Sequence, residues 1–90
     1  MTAVRIPAVL RPAVGGQKDL EIEGATVGEL VAALVGQFPT LRDQLLTPEG
    51  ELNRFVNVYV NGQDVRYLDG LATRVEPRDE VRLLPAMAGG

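Results

Sequence analysis

Polar and apolar positions alternate with period two in four stretches of the chain and with the helical period in one. In AVRIPAVL, Val4 and Ile6 share a face, which predicts a first strand. Pro7 interrupts it: a residue without an N–H cannot donate to a ladder, so the pattern demands an edge position or a bulge there. RPAVGGQ then supplies turn residues. DLEIE alternates cleanly, with Leu20 and Ile22 on one side and Asp19, Glu21 and Glu23 on the other. The first two strands are therefore expected to form a hairpin with a long, Gly-rich loop.

The helical stretch is TVGELVAALVGQF. Thr26 followed by Glu29 fits a capping box, and Val27, Leu30, Val31, Leu34 and Phe38 make one apolar stripe that Pro39 stops. TLRDQLL predicts a further short turn of helix with Leu41 and Leu45 on one side. FVNVYV is the strongest strand pattern, placing Val56, Val58 and Val60 opposite Phe55, Asn57 and Tyr59. Asn61-Gly62 is a hairpin-turn signal that leads into QDVRYL. DGLATRVEPRDE reads as irregular connection with a turn at Pro77 to Asp79. EVRLLPA makes the last strand, with Val81 and Leu83 inward. Two strands, one helix and then several strands predict an α+β fold, in which one main helix packs across one face of a mixed sheet. This order fits a β-grasp, although periodicity alone leaves the strand pairing open.

Composition narrows the function. Ninety residues, 46% hydrophobic and 23% charged, suit one domain spanning 1–90 with a single modest core. No apolar run is long enough to span a membrane, and the N-terminal residues lack the pattern of a signal peptide, so a cytoplasmic protein is expected. The chain has neither histidine nor cysteine. A Ser–His–Asp triad, a Cys–His dyad, a disulfide and a structural zinc site are all excluded, which leans away from an autonomous enzyme. The net charge is −3 and the nine basic residues are scattered, so no stripe for nucleic acid is visible. GGQK at Gly15 to Lys18 lacks the spacing and the following helix of a phosphate-binding loop.

The chain ends LLPAMAGG. The segment DGLATRVEPRDEVRLLPAMAGG resembles the C-terminal half of the ThiS/MoaD sulfur carriers, prokaryotic relatives of ubiquitin. The residues that carry the likeness are Gly70, Thr73, Val75, Asp79, Val81, Pro85, Gly89 and Gly90. IPAVLRPAVGGQK, RFVNVYVNGQDVR and GLATRV extend it along nearly the whole chain toward the CysO group of that family. The resemblance implies a ubiquitin-like β-grasp with a flexible C-terminal Gly-Gly tail over 85–90. It implies that a partner adenylyltransferase, resembling the ubiquitin-activating enzymes, uses ATP to activate the carboxylate of Gly90. The adenylate then becomes a thiocarboxylate, and its sulfur passes to a biosynthetic enzyme. In the CysO group that acceptor is cysteine-synthase-like, and a metallopeptidase releases the product. Thiosugar, thiamin thiazole and molybdopterin pathways are served by related carriers. The carrier itself would bind no cofactor or metal.

A small-residue tail suits this chemistry. Gly89 and Gly90 lack Cβ atoms, and Ala88 adds only a methyl, so Met87 to Gly89 are expected to thread into a partner's active site. Leu84 occupies the family's apolar position before the tail, on the sheet face through which these carriers dock. Phe55 and Tyr59 join it by alternation alone, forming either an exposed docking patch or edge caps on the core. Two rivals remain at this stage. One is a ubiquitin-like modifier that forms isopeptide bonds, and the other a non-covalent interaction domain that uses the exposed sheet face.

Overall fold

The structure is a computed structural model that describes residues 1–85. Met87, Ala88, Gly89 and Gly90, expected to carry the chemistry, lie outside the described residues. Five strands, β1 (Thr2–Arg5), β2 (Asp19–Ile22), β3 (Val56–Val60), β4 (Gln63–Asp64) and β5 (Glu80–Pro85), form one mixed sheet in the order β2-β1-β5-β3-β4. Only β1 and β5 pair in parallel; β1–β2, β3–β5 and β3–β4 are antiparallel. Helix α1 (Val27–Gln37) buries Val27, Leu30, Val31 and Leu34 against this sheet. This is the β-grasp arrangement expected from the sequence. Pro85, expected to begin the tail, is the last residue of β5 and pairs with Val56.

The α1 stripe works because its N-terminus is closed locally. Thr26 Oγ1 accepts from the Glu29 amide at 3.1 Å, and the Glu29 carboxylate accepts from the Ala25 amide at 2.9 Å. Two donors that the helix cannot satisfy thereby find partners. Phe38, the last residue of the predicted stripe, is the C-cap and is only partly buried. A 3-10 turn at Pro39–Leu41 and the short helix α2 (Arg42–Leu45) follow, and they bury Leu41 and Leu45 completely.

The largest departure from the sequence pattern lies between β1 and β2. The predicted strand through Leu10 stops at Arg5, and the predicted Gly-rich loop is mostly a 3-10 helix at Ala8–Val14. No bulge forms at Pro7. The Ile6 amide makes a last bond to the Lys18 carbonyl at 2.7 Å, and Pro7, with φ −69 and ψ 155, then caps the 3-10 segment. Its missing N–H is harmless there because a helix start leaves that donor free anyway. Leu10 and Val14 drop into the core, and Gly15 and Gly16 end the segment with φ 69 and 80. The second departure is QDVRYL, which pairs only through Gln63–Asp64 before it turns into a 3-10 segment at Val65–Tyr67. Asp64 causes the turn: its carboxylate accepts from the Arg66 amide at 2.8 Å.

Candidate functional site: the end of β5 and the uncovered sheet face

Helix α1 covers one side of the sheet, so alternation sends every second strand residue to the other side. On β5, Val81 and Leu83 are buried while Glu80, Arg82 and Leu84 are exposed. The registers line up Asp19, Arg5, Arg82, Tyr59 and Asp64 in one row across all five strands of the uncovered face. Arg5 pairs with Asp19 at 2.7 Å and Arg82 with Glu80 at 3.0 Å. All four groups are about half exposed to solvent, so these pairs set the charge pattern of the face more than they stabilise the fold.

Leu84 stands opposite Asn57, one rung from the end of the β3–β5 ladder. With 38% of its surface exposed, it lines a shallow hollow of about 490 Å³ with Tyr59, Asn61, Gly62, Glu80 and Arg82. Tyr59 is half buried. The structure thus brings Leu84 and Tyr59 together. It does not bring Phe55 to them. Phe55 precedes β3 and lines a separate hollow of about 290 Å³ with Val9, Leu10, Gln44, Asn53, Val56 and Pro85. Leu10 and Val56 belong to the core, which places this second hollow on the helix side of the sheet. Phe55 is 52% exposed and carries the Arg54 guanidinium over its ring at 5.4 Å. Val9, 66% exposed, escaped sequence reasoning because its segment was expected to be strand and loop.

The hairpin tip next to the first hollow is tightly specified. Asn61 and Gly62 both take left-handed conformations, φ 51 and 86, as the two-residue turn requires. The Asn61 amide donates to the Glu80 carbonyl at 2.8 Å, and its side-chain oxygen accepts from the Glu80 amide at 2.9 Å. Asp79 locks the same corner, accepting from the Glu76 amide at 2.7 Å and from the Asn61 side chain at 3.1 Å. These two bonds, the backbone one foremost, hold the Asp79 carboxyl below its ordinary value.

The residues that carried the sequence resemblance have structural work inside the described region. Gly70 adopts φ 59 at the start of a 3-10 turn, Gly70–Ala72. Buried Thr73 accepts from the Asp69 amide at 3.1 Å, and its carbonyl accepts from the Val27 amide at 2.9 Å. Val75 joins the core. The motif is thus the seam between the β4–β5 connection and the N-terminus of α1. What the arrangement offers is the end of β5, held in the β3–β5 ladder, beside a charged and apolar sheet face.

The ThiS family profile matches residues 4–90. The chain belongs to the ThiS family. It is 45% identical over 89 residues to the sulfur carrier protein CysO of Mycobacterium tuberculosis, covering 97% of this chain and 96% of that protein. The crystal structure of Mycobacterium tuberculosis CysO superposes with a TM-score of 0.88 at 42% identity, covering 97% of this chain and all of the other. A chain of the BexX/CysO complex of Amycolatopsis orientalis matches with a TM-score of 0.89 and 41% identity over the full length of both chains. The ubiquitin-like β-grasp of this ThiS-family member is therefore the fold of the CysO proteins. Among the described residues, no helix is long and apolar enough to cross a membrane.

Proposed function

We propose that the protein is a sulfur carrier whose working group is the carboxylate of Gly90. The observation that carries this reading is the near-complete match to proteins named sulfur carrier protein CysO, within a family match that runs through Gly89 and Gly90. A partner adenylyltransferase supplies ATP. A carboxylate oxygen attacks the α-phosphorus, pyrophosphate leaves, and the acyl carbon is now bonded to a good leaving group. Sulfide attacks that carbon and AMP departs, leaving a thiocarboxylate. The carrier binds no cofactor itself, and the chemistry belongs to the cytoplasm, where ATP is at hand.

Sulfur then passes to an acceptor enzyme. Likeness to CysO favours a cysteine-synthase-like acceptor, with a metallopeptidase releasing the product from the tail. In this reading Leu84 and Tyr59 dock the uncovered face on the activating enzyme, while Met87, Ala88 and Gly89 enter its channel. Phe55, on the other side of the sheet, is available to a different contact. A complex between BexX and CysO in Amycolatopsis orientalis supports a reading in which this carrier also works by engaging a protein partner.

Intact mass spectrometry tests the proposal. Incubation with ATP, sulfide and an adenylyltransferase active on a related carrier is expected to exchange one oxygen for sulfur. Deletion of Gly90 is expected to abolish the exchange. No exchange in the full chain, with the enzyme shown to be competent, would refute the carrier reading.

A further inference from the structure

The outer edge of β3 is only partly paired. Strand β4 has two residues, which pair with Val60 and Tyr59, so among the described residues Val56, Asn57 and Val58 have no strand on that side. An unpaired edge at the end of a sheet frays, because its carbonyls must turn to water. Here a side chain replaces the missing strand. Arg66 donates from Nη2 to the Asn53 carbonyl at 2.9 Å and to the Val56 carbonyl at 2.8 Å, and from Nη1 to the Asn57 side-chain oxygen. A planar guanidinium can hold three acceptors in one fixed arrangement, and an ammonium cannot.

Two features make this more than a surface contact. First, the guanidinium is aimed: the Asp64 carboxylate binds the Arg66 amide and folds the 3-10 turn that sends the side chain back along β3. Second, the clamped residues are the partners of the chain's exit. Val56 pairs with Pro85 and Asn57 with Leu84, the last two rungs before the tail. The clamp therefore acts on the strand that holds the tail root, although Arg66 lies about twenty residues before it in the chain.

We propose that Arg66 is a positioning residue for the carrier reaction: it stiffens the start of β3 so that Leu84 and Pro85 keep a fixed place beside the docking face. This rests on the function proposed above. The cost of losing it falls on docking, since the bonds made and broken at Gly90 are served by the partner enzyme. Arg66 is exposed and outside the core, so Arg66→Ala is expected to fold. Arg66→Lys keeps the charge without the fork.

The test measures thiocarboxylate formation with a competent adenylyltransferase, ATP and sulfide, alongside amide hydrogen exchange. Both variants are expected to raise KM for the carrier about tenfold with kcat nearly unchanged, the signature of lost positioning before the chemical step. Exchange at Asn57 and Leu84 is expected to quicken while α1 amides keep wild-type protection. Full activity of Arg66→Lys would show that charge alone suffices and overturn the proposal. So would unchanged KM in Arg66→Ala, or a uniform loss of protection that includes α1. If wild type itself is never thiocarboxylated, the carrier reading fails, and hydrogen exchange still decides separately whether Arg66 clamps the tail root.

Discussion

Asp79 shows how a single exposed carboxylate can organise a corner. It accepts from the Glu76 amide and from Asn61, whose own side chain and amide fasten the hairpin tip to the start of β5. Because these bonds favour the charged form, its pKa in the fold lies below the ordinary carboxylate value. The unfolded chain thus binds a proton more readily than the folded one, and stability rises with pH through that window. The contribution is complete above the unfolded value, about 4, and is lost as pH falls through the lower folded value. Urea unfolding between about pH 4 and pH 2 should accordingly show a steeper loss of stability in wild type than in Asp79→Asn. Parallel pH profiles for the two proteins would mean that the Asp79 bonds do not survive in solution. Asp79 was visible in the sequence only as part of a turn and of a family motif. Its bond to Asn61 joins residues 18 apart, which no local pattern reveals.

At the scale of elements, α1 depends on its cap because it is short and its N-terminus abuts the 70–75 connection. Gly28 shows how closely: a Cβ there would meet the Leu71 carbonyl oxygen at 3.0 Å. Thr26→Ala removes the acceptor for the Glu29 amide and is expected to cost about 1 kcal/mol, measured by urea denaturation. Thr26→Ser should restore most of it; equal loss in both variants would mean that the methyl group, not the hydroxyl, is what matters. This helix was legible from sequence for a physical reason. Its cap, its apolar period and its Pro39 stop are all local and all agree. The β3 and β5 strands were legible likewise, since each alternates and buries one face. Residues 8–14 were not. Pro7 just before the segment, Pro12 within it and the lack of a clean period read as the end of a strand followed by a loop, and only the tertiary fold supplies the core into which Leu10 and Val14 drop. The separation of Phe55 from Tyr59 and Leu84 was hidden for a related reason. Alternation holds only while a residue is in the strand, and β3 begins one residue after Phe55.

For the whole molecule, the described fold and the proposed chemistry divide the labour between separate parts of the chain. The core, the α1 seam and the β3–β5 ladder lie within residues 1–85, and the proposed reaction is at Gly90. Changes at the end of the chain should therefore act on transfer and leave stability alone. Appending one alanine after Gly90 moves the carboxylate proposed to react onto a residue that carries a Cβ and lies about 3.5 Å further along an extended chain. A channel shaped for glycine would then hold the amide of Gly90 where an acid is needed, and an amide cannot attack the α-phosphorus as a carboxylate does. The extended protein is expected to unfold at the wild-type urea concentration and to show no sulfur gain by intact mass. Subsequent removal of the alanine by a carboxypeptidase should restore the gain. That restoration distinguishes a blocked reaction from a damaged carrier. Undiminished sulfur gain on the uncut, extended chain would show that the reaction does not need its carboxylate to be on Gly90. The docking face would then serve a transfer that does not require a terminal glycine.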